Sequence, residues 1–157
     1  MNVSPVKTNI AMNYKSMIYI SSILLVLVGM SACNRERQVP VPYVYVNYTV
    51  YLNNPSNSHL RVPGNYLILP DEGNLGIILY RRTLGDPTDF IALDLTCTNE
   101  PLESCKVAID DTGFYLVCPC CGSKFSIWDG LVAQGPAKWP LKEYATSLTL
   151  NTLRIYN

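Results

Sequence analysis

Cys118-Pro119-Cys120-Cys121-Gly122-Ser123-Lys124-Phe125 puts three cysteines into four positions, turns at a glycine and runs into residues 124–128, which have the character of a strand. Cys118 and Cys121 are formally a C-x-x-C pair. In a dithiol oxidoreductase such a pair opens a helix, whose N-terminus lowers the nucleophile's pKa. Here Gly122 leads into a strand, which argues against that activity. Three sulfurs at a strand turn point instead to metal ligation or to crosslinking.

On either side of this turn the pattern is all β. In residues 43–52, Val44, Val46, Tyr48, Val50 and Leu52 fall on one face, with Tyr43, Tyr45, Asn47, Thr49 and Tyr51 on the other. Pro55, Ser56 and Asn57 break that alternation. Further strands are expected at 66–69, 76–81, 90–95, 106–109, 114–117, 125–128 and 148–156, separated by clusters of Gly, Pro, Asn and Asp. No stretch beyond residue 40 holds a helical period. Many short strands with turns between them predict antiparallel sheets stacked as a small sandwich or barrel. The domain is placed at 41–157.

The first residues are of another kind. Lys7 and Lys15 precede an apolar run from 17 to 30 that ends in Met30-Ser31-Ala32-Cys33. Fourteen residues are too few to span a bilayer as a helix, which takes about 20, and the pattern is that of a signal peptide over 1–32. Residues 33–40 then form a polar tether. Without Lys7 and Lys15, the twelve acidic residues slightly outnumber the basic ones, and no basic patch for nucleic acid appears. An exported chain lives where disulfides persist. The domain keeps five cysteines, Cys97, Cys105, Cys118, Cys120 and Cys121, an odd number that cannot all pair within one chain.

Two resemblances follow from these residues. The Ser-Ala-Cys33 junction resembles a bacterial lipoprotein cleavage site, which implies a lipidated Cys33 and anchorage in the cell envelope. Cys97-Thr98-Asn99 followed by Cys118-Pro119-Cys120-Cys121, with Gly122-Ser123, Asp129-Gly130, Gly135-Pro136-Ala137, Pro140-Leu141-Lys142 and Tyr144, resembles the Rieske family over about residues 75 to 157. That family carries C-x-H and C-x-x-H loops, in which two cysteines hold one iron of a [2Fe-2S] cluster and two histidines the other. The resemblance implies a two-loop cluster-binding tip, with Gly135 and Pro136 in the loop that shields the cluster. It gives Ser123 the role of a hydroxyl donor to cluster sulfur, and places Cys105 and Cys120 at the positions of the loop-joining disulfide found in some members.

Both ligand-histidine positions are changed, to Asn99 and Cys121, and the only histidine is His59, in a loop-like stretch. Ordinary two-histidine ligation is thereby excluded. Histidine ligation raises the potential to about −150 to +300 mV, against about −400 mV for all-thiolate plant-type clusters. A [2Fe-2S] centre on Cys97, Cys118 and Cys121, with Asn99 or Cys105 in fourth place, is therefore expected to lie low. Phe125, where high-potential members have a tyrosine donor to a ligand sulfur, points the same way. The expected function is electron transfer to or from a redox partner protein, not stand-alone catalysis. Two alternatives stay open. One is a cluster-free module stapled by Cys97–Cys118 and Cys105–Cys120; the other is a zinc site, disfavoured by the seven residues between Cys97 and Cys105.

Overall fold

A computed structural model describes residues 40–85 and 89–157, together with Tyr14. Apart from Tyr14 and Pro40, the expected signal peptide and the expected tether with Cys33 lie outside the described residues. Among the described residues no helix is long and apolar enough to cross a membrane.

The strands in chain order are β1 (Asn47–Tyr51), β2 (Tyr66–Leu69), β3 (Ile77–Arg81), β4 (Phe90–Asp94) and β5 (Ala108–Ile109), then β6 (Tyr115–Val117), β7 (Lys124–Ser126), β8 (Val132–Gln134), β9 (Glu143–Thr149) and β10 (Thr152–Tyr156). They form a six-stranded sheet in the order β1-β10-β9-β4-β3-β2 and a four-stranded sheet in the order β5-β6-β7-β8. Every pairing is antiparallel. The fold is all-β, as the alternation and turn spacing predict.

Strands β3 and β4 explain how the two sheets share one interior. Both are buried along their whole length, and successive side chains of a strand point to opposite faces. Ile77, Leu79, Phe90 and Ala92 pack with Val46, Val50, Leu60, Leu153 and Ile155 inside the curled large sheet. Ile78, Tyr80, Ile91 and Leu93 face the other way, onto Leu116 and Phe125 of the small sheet and Ile127 in the turn after β7. That second cluster also contains Cys97, Cys105 and Cys118. The sulfur site is thus the outer end of a hydrophobic core.

Several sequence expectations are corrected. Residues 148–156 are not one strand: β9 and β10 form a hairpin whose turn holds Leu150 at φ 55°, a left-handed conformation rare for a branched side chain. The break after β1 begins a 3-10 helix, Pro55–Arg61, capped by the Asn54 side chain accepting from the Ser56 N–H at 3.1 Å and anchored by buried Leu60. Strand β8 had no expectation behind it. Arg81, a cation at the end of the apolar strand β3, is buried. It pairs with Asp89 at 3.3 Å, donates to the Leu60 carbonyl at 3.1 Å and lies over the Phe90 ring.

Candidate metal centre

Two loops carry the cysteines, and both are closed by backbone hydrogen bonds at their base. The first, residues 97–105, is closed by the Cys97 N–H donating to the Cys105 carbonyl at 2.9 Å, with Thr96 and Lys106 bridged beneath it. The second, the turn between β6 and β7, is closed by Cys118 N–H to Ser123 O at 2.8 Å and Gly122 N–H to Cys118 O at 2.9 Å. Gly122 sits at φ +73°, a conformation that glycine adopts without steric cost and that brings Ser123 back under the loop.

The approach to the first loop is fixed by a buried carboxylate. Asp94, at the end of β4, accepts from the Thr96 N–H at 2.9 Å, the Thr96 hydroxyl at 2.5 Å, the Asn74 N–H at 2.8 Å and the Tyr144 hydroxyl at 2.7 Å. Burial, reinforced by that bond and by the Asp94 charge, pushes the Tyr144 phenol far above its ordinary range. It therefore stays a donor. Each oxygen of the carboxylate is satisfied, which is what makes an acid tolerable inside an apolar strand.

A third loop clamps the other two. The Ala137 N–H donates to Ser123 Oγ at 3.1 Å, while the Thr98 hydroxyl donates to the Trp139 carbonyl at 2.6 Å. Gly135, at φ +126°, lies so close to Ser123 that an added Cβ would come 2.4 Å from its Cα. Pro136 is exposed beside it.

Within this frame Cys97, Cys118 and Cys121 converge, their sulfurs all within 4.8 Å of one another. Cys97 Sγ is 3.6 Å from Cys121 Sγ. Cys105 and Cys120 are joined by a disulfide, Cα to Cα 6.3 Å, that ties the first loop to the second. Cys105 Sγ lies 3.5 Å from Cys118 Sγ. The disulfide withdraws Cys105 from the role of fourth thiolate, and the free thiols among the described residues are Cys97, Cys118 and Cys121. Cys97 lies against both Cys118, its partner in the alternative staple, and Cys121, and is not bonded to either.

The thiols differ in character. Burial, with the Cys118 thiol close by, pushes Cys97 up to about 12 against the opposing bond from the Asn99 N–H. Burial acts in the same direction on Cys121, but is outweighed by donation from the Ser123 hydroxyl and N–H, with further help from Cys118 and Cys97, so that this thiol ends below its ordinary value. Ser123 Oγ stands 3.1 Å from Cys121 Sγ. That oxygen also accepts from the Ala137 N–H, and its hydrogen can still be donated to the sulfur.

Asn99 contributes its backbone to Cys97 and is partly exposed. His59 is exposed on the 3-10 helix, its Nε2 3.1 Å from the Tyr66 carbonyl oxygen, and belongs to neither cysteine group. Phe125 is fully buried below the second loop. Thr98 and the Asp94–Tyr144 pair were not anticipated. Asp94 had a visible signal, as the one carboxylate closing the apolar run Phe90-Ile91-Ala92-Leu93; Thr98 had none.

Soft thiolates suit iron-sulfur clusters, zinc and Cu(I). Bonds of ~2.3 Å at tetrahedral angles put two thiolates on one ion roughly 3.8 Å apart, close to the Cys97–Cys121 separation of 3.6 Å. The three cysteines can therefore hold a metal. A two-iron cluster spreads its ligands wider, so to take the outer iron Cys121, the only partly exposed thiol of the three, has to turn away from Cys97.

Two loops set against a small antiparallel sheet are joined by a disulfide and covered by a glycine-proline loop, the arrangement that the resemblance to the Rieske family implies. Among solved structures the chain is similar to the cyanobacterial plasma membrane Rieske protein PetC3 from Synechocystis PCC 6803, at 24% identity over 73% of this chain and 100% of that one, with a TM-score of 0.48. It is also similar to a Sphingomonas yanoikuyae B1 ferredoxin, at 20% identity over 61% of this chain and 88% of that one, with a TM-score of 0.42. A chain of a hyperthermophilic respiratory Complex III matches at 17% identity over 94% of this chain and 99% of that one, with a TM-score of 0.46. No protein-family model and no curated protein matches the sequence.

Proposed function

We propose that the protein is an electron carrier of Rieske-like fold, with a [2Fe-2S] centre held by Cys97, Cys118 and Cys121 and completed at the position of Asn99. The observation that carries this reading is the convergence of three free thiols from two loops within 4.8 Å. When bound, the group supplies one-electron chemistry at a potential that thiolate ligation keeps low. The chain's own part is to bind and to shield. The Ser123 hydroxyl and the N–H groups of Ser123 and Asn99 donate to ligand sulfur and offset thiolate charge. The clamp formed by Ala137 and Trp139 holds both ligand loops in place. The electron is exchanged with a separate redox protein, and a lipid on Cys33 would keep the exported domain at the membrane of a bacterial cell envelope; the Met30-Ser31-Ala32-Cys33 junction supports this.

A second reading is favoured by the 3.6 Å separation of Cys97 and Cys121, which already suits a single tetrahedral zinc ion. Anaerobic purification with metal, acid-labile sulfide and thiol counts separates the two. Iron and sulfide in equal amounts, with a visible spectrum that bleaches on reduction, are expected. Zinc without sulfide would establish the second reading, and colourless protein containing neither would leave a disulfide-stapled module. In the double variant Cys121→His with Asn99→His, the expected result is a shift of the potential upward, from the neighbourhood of about −400 mV towards the range of about −150 to +300 mV.

A further inference from the structure

We propose that Cys97 and Cys121 are a reversible disulfide site, a second crosslink between the two loops that forms when no metal is held. The sulfurs stand 3.6 Å apart, at van der Waals contact, and come from different loops. Bond formation needs each to move by under an ångström toward a length of about 2.05 Å. The neighbouring pair Cys105–Cys120 already spans the same two loops as a disulfide. The backbone in this place therefore accommodates one such bridge, and the new one lies beside it.

Access decides the order of events. Cys97 and Cys118 are buried, whereas Cys121 is partly exposed. An incoming disulfide, from a small molecule or from a thiol-oxidising protein, therefore meets Cys121 first. The Cys121 thiolate attacks one sulfur of that reagent, forms a mixed disulfide and expels the first thiol. Cys97 then attacks Cys121 Sγ and expels the second thiol. In balance, two cysteine thiols and one external disulfide become the Cys97–Cys121 disulfide and two external thiols. Cys118 is left as a lone buried thiol, and the metal site loses two of its three sulfurs. This holds whichever metal the thiols bind.

The test uses the full chain, freed of metal with a chelator and incubated with oxidised glutathione. Digestion with a glutamyl endopeptidase separates Cys97 from Cys105, because Glu100 and Glu103 lie between them, and tandem mass spectrometry assigns the partners. The expected products are Cys97–Cys121 and Cys105–Cys120 bridges with a free Cys118. A Cys97–Cys118 bridge, a Cys105–Cys118 bridge made by exchange across their 3.5 Å contact, or three free thiols after excess oxidant would each overturn the proposal. In the variant Cys97→Ser the reaction is expected to stop at a persistent glutathione adduct on Cys121; an adduct on Cys118 instead would also overturn it. None of these outcomes depends on iron, so a failure here is distinct from a failure of the electron-carrier reading.

Discussion

The region around Leu60, Leu79, Leu153 and Ile155 and the region around Cys97, Cys118 and Cys121 lie on opposite faces of the β3–β4 ribbon, yet they are held together by different means. The first is closed by aliphatic side chains packed at no solvent exposure. Its order comes from apolar burial. The second is closed by a disulfide, two glycine conformations, a serine hydroxyl and a buried carboxylate, with three thiols left unbonded at its centre. Its order comes from directional contacts. The contrast implies that the body is built for stability and that the tip is a cluster of thiols held in position from below.

Leu79→Ala is expected to have the largest effect on stability. It removes a fully buried side chain from the body and should cost about 2–5 kcal/mol in a denaturant titration, with the metal content per folded molecule unchanged. Loss of metal at unchanged stability would break the comparison. Next comes the double variant Cys105→Ala with Cys120→Ala. It opens a bridge with a sequence separation of 15, which by chain entropy contributes about 3 kcal/mol, and here the loss should be accompanied by weakened metal retention.

Gly135→Ala should cost less overall but fall almost wholly on the tip. A side chain in its left-handed backbone carries strain of about 1–3 kcal/mol, and the added Cβ runs into Ser123. Release of metal well before global unfolding, followed by spectroscopy or by thiol titration, is the expected signature. A further contrast is the effect of pH on the metal-free protein. Because the Cys97 thiol is raised from 9.0 to about 12 by burial, the stability it contributes is fully present below pH 9 and is lost as pH rises toward 12. Cys121 is shifted the other way, so its alkylation should set in below pH 9 while Cys97 remains protected. Equal alkylation profiles for the two thiols would remove the distinction between them.

Much of this was legible in the residues. The apolar runs at 77–80 and 90–93 announce strands buried on both faces, and the alternation of Val46, Tyr48 and Val50 announces a strand with one wet face. Cysteine spacing located both loops. The hairpin at Leu150 was not legible, because leucine carries no turn signal and its positive φ is imposed by the pairing of β9 with β10. The fate of Arg81 was hidden for a related reason. Its partners Asp89 and the Leu60 carbonyl come from separate elements, and no local pattern reports that they meet.

By itself the sequence determined that the domain is all-β, that two cysteine-bearing loops exist and that two histidine ligands are impossible, because periodicity, turn residues and composition are local properties of the chain. Only the tertiary structure decided which sulfur faces which. In Cys118-Pro119-Cys120-Cys121 three thiols compete within four residues. The Gly122 turn, the Ser123 hydroxyl and the clamp from Ala137 set Cys120 toward Cys105 and Cys121 toward Cys97. Rotation about a few bonds exchanges those partners, and contacts from distant segments are what remove that freedom.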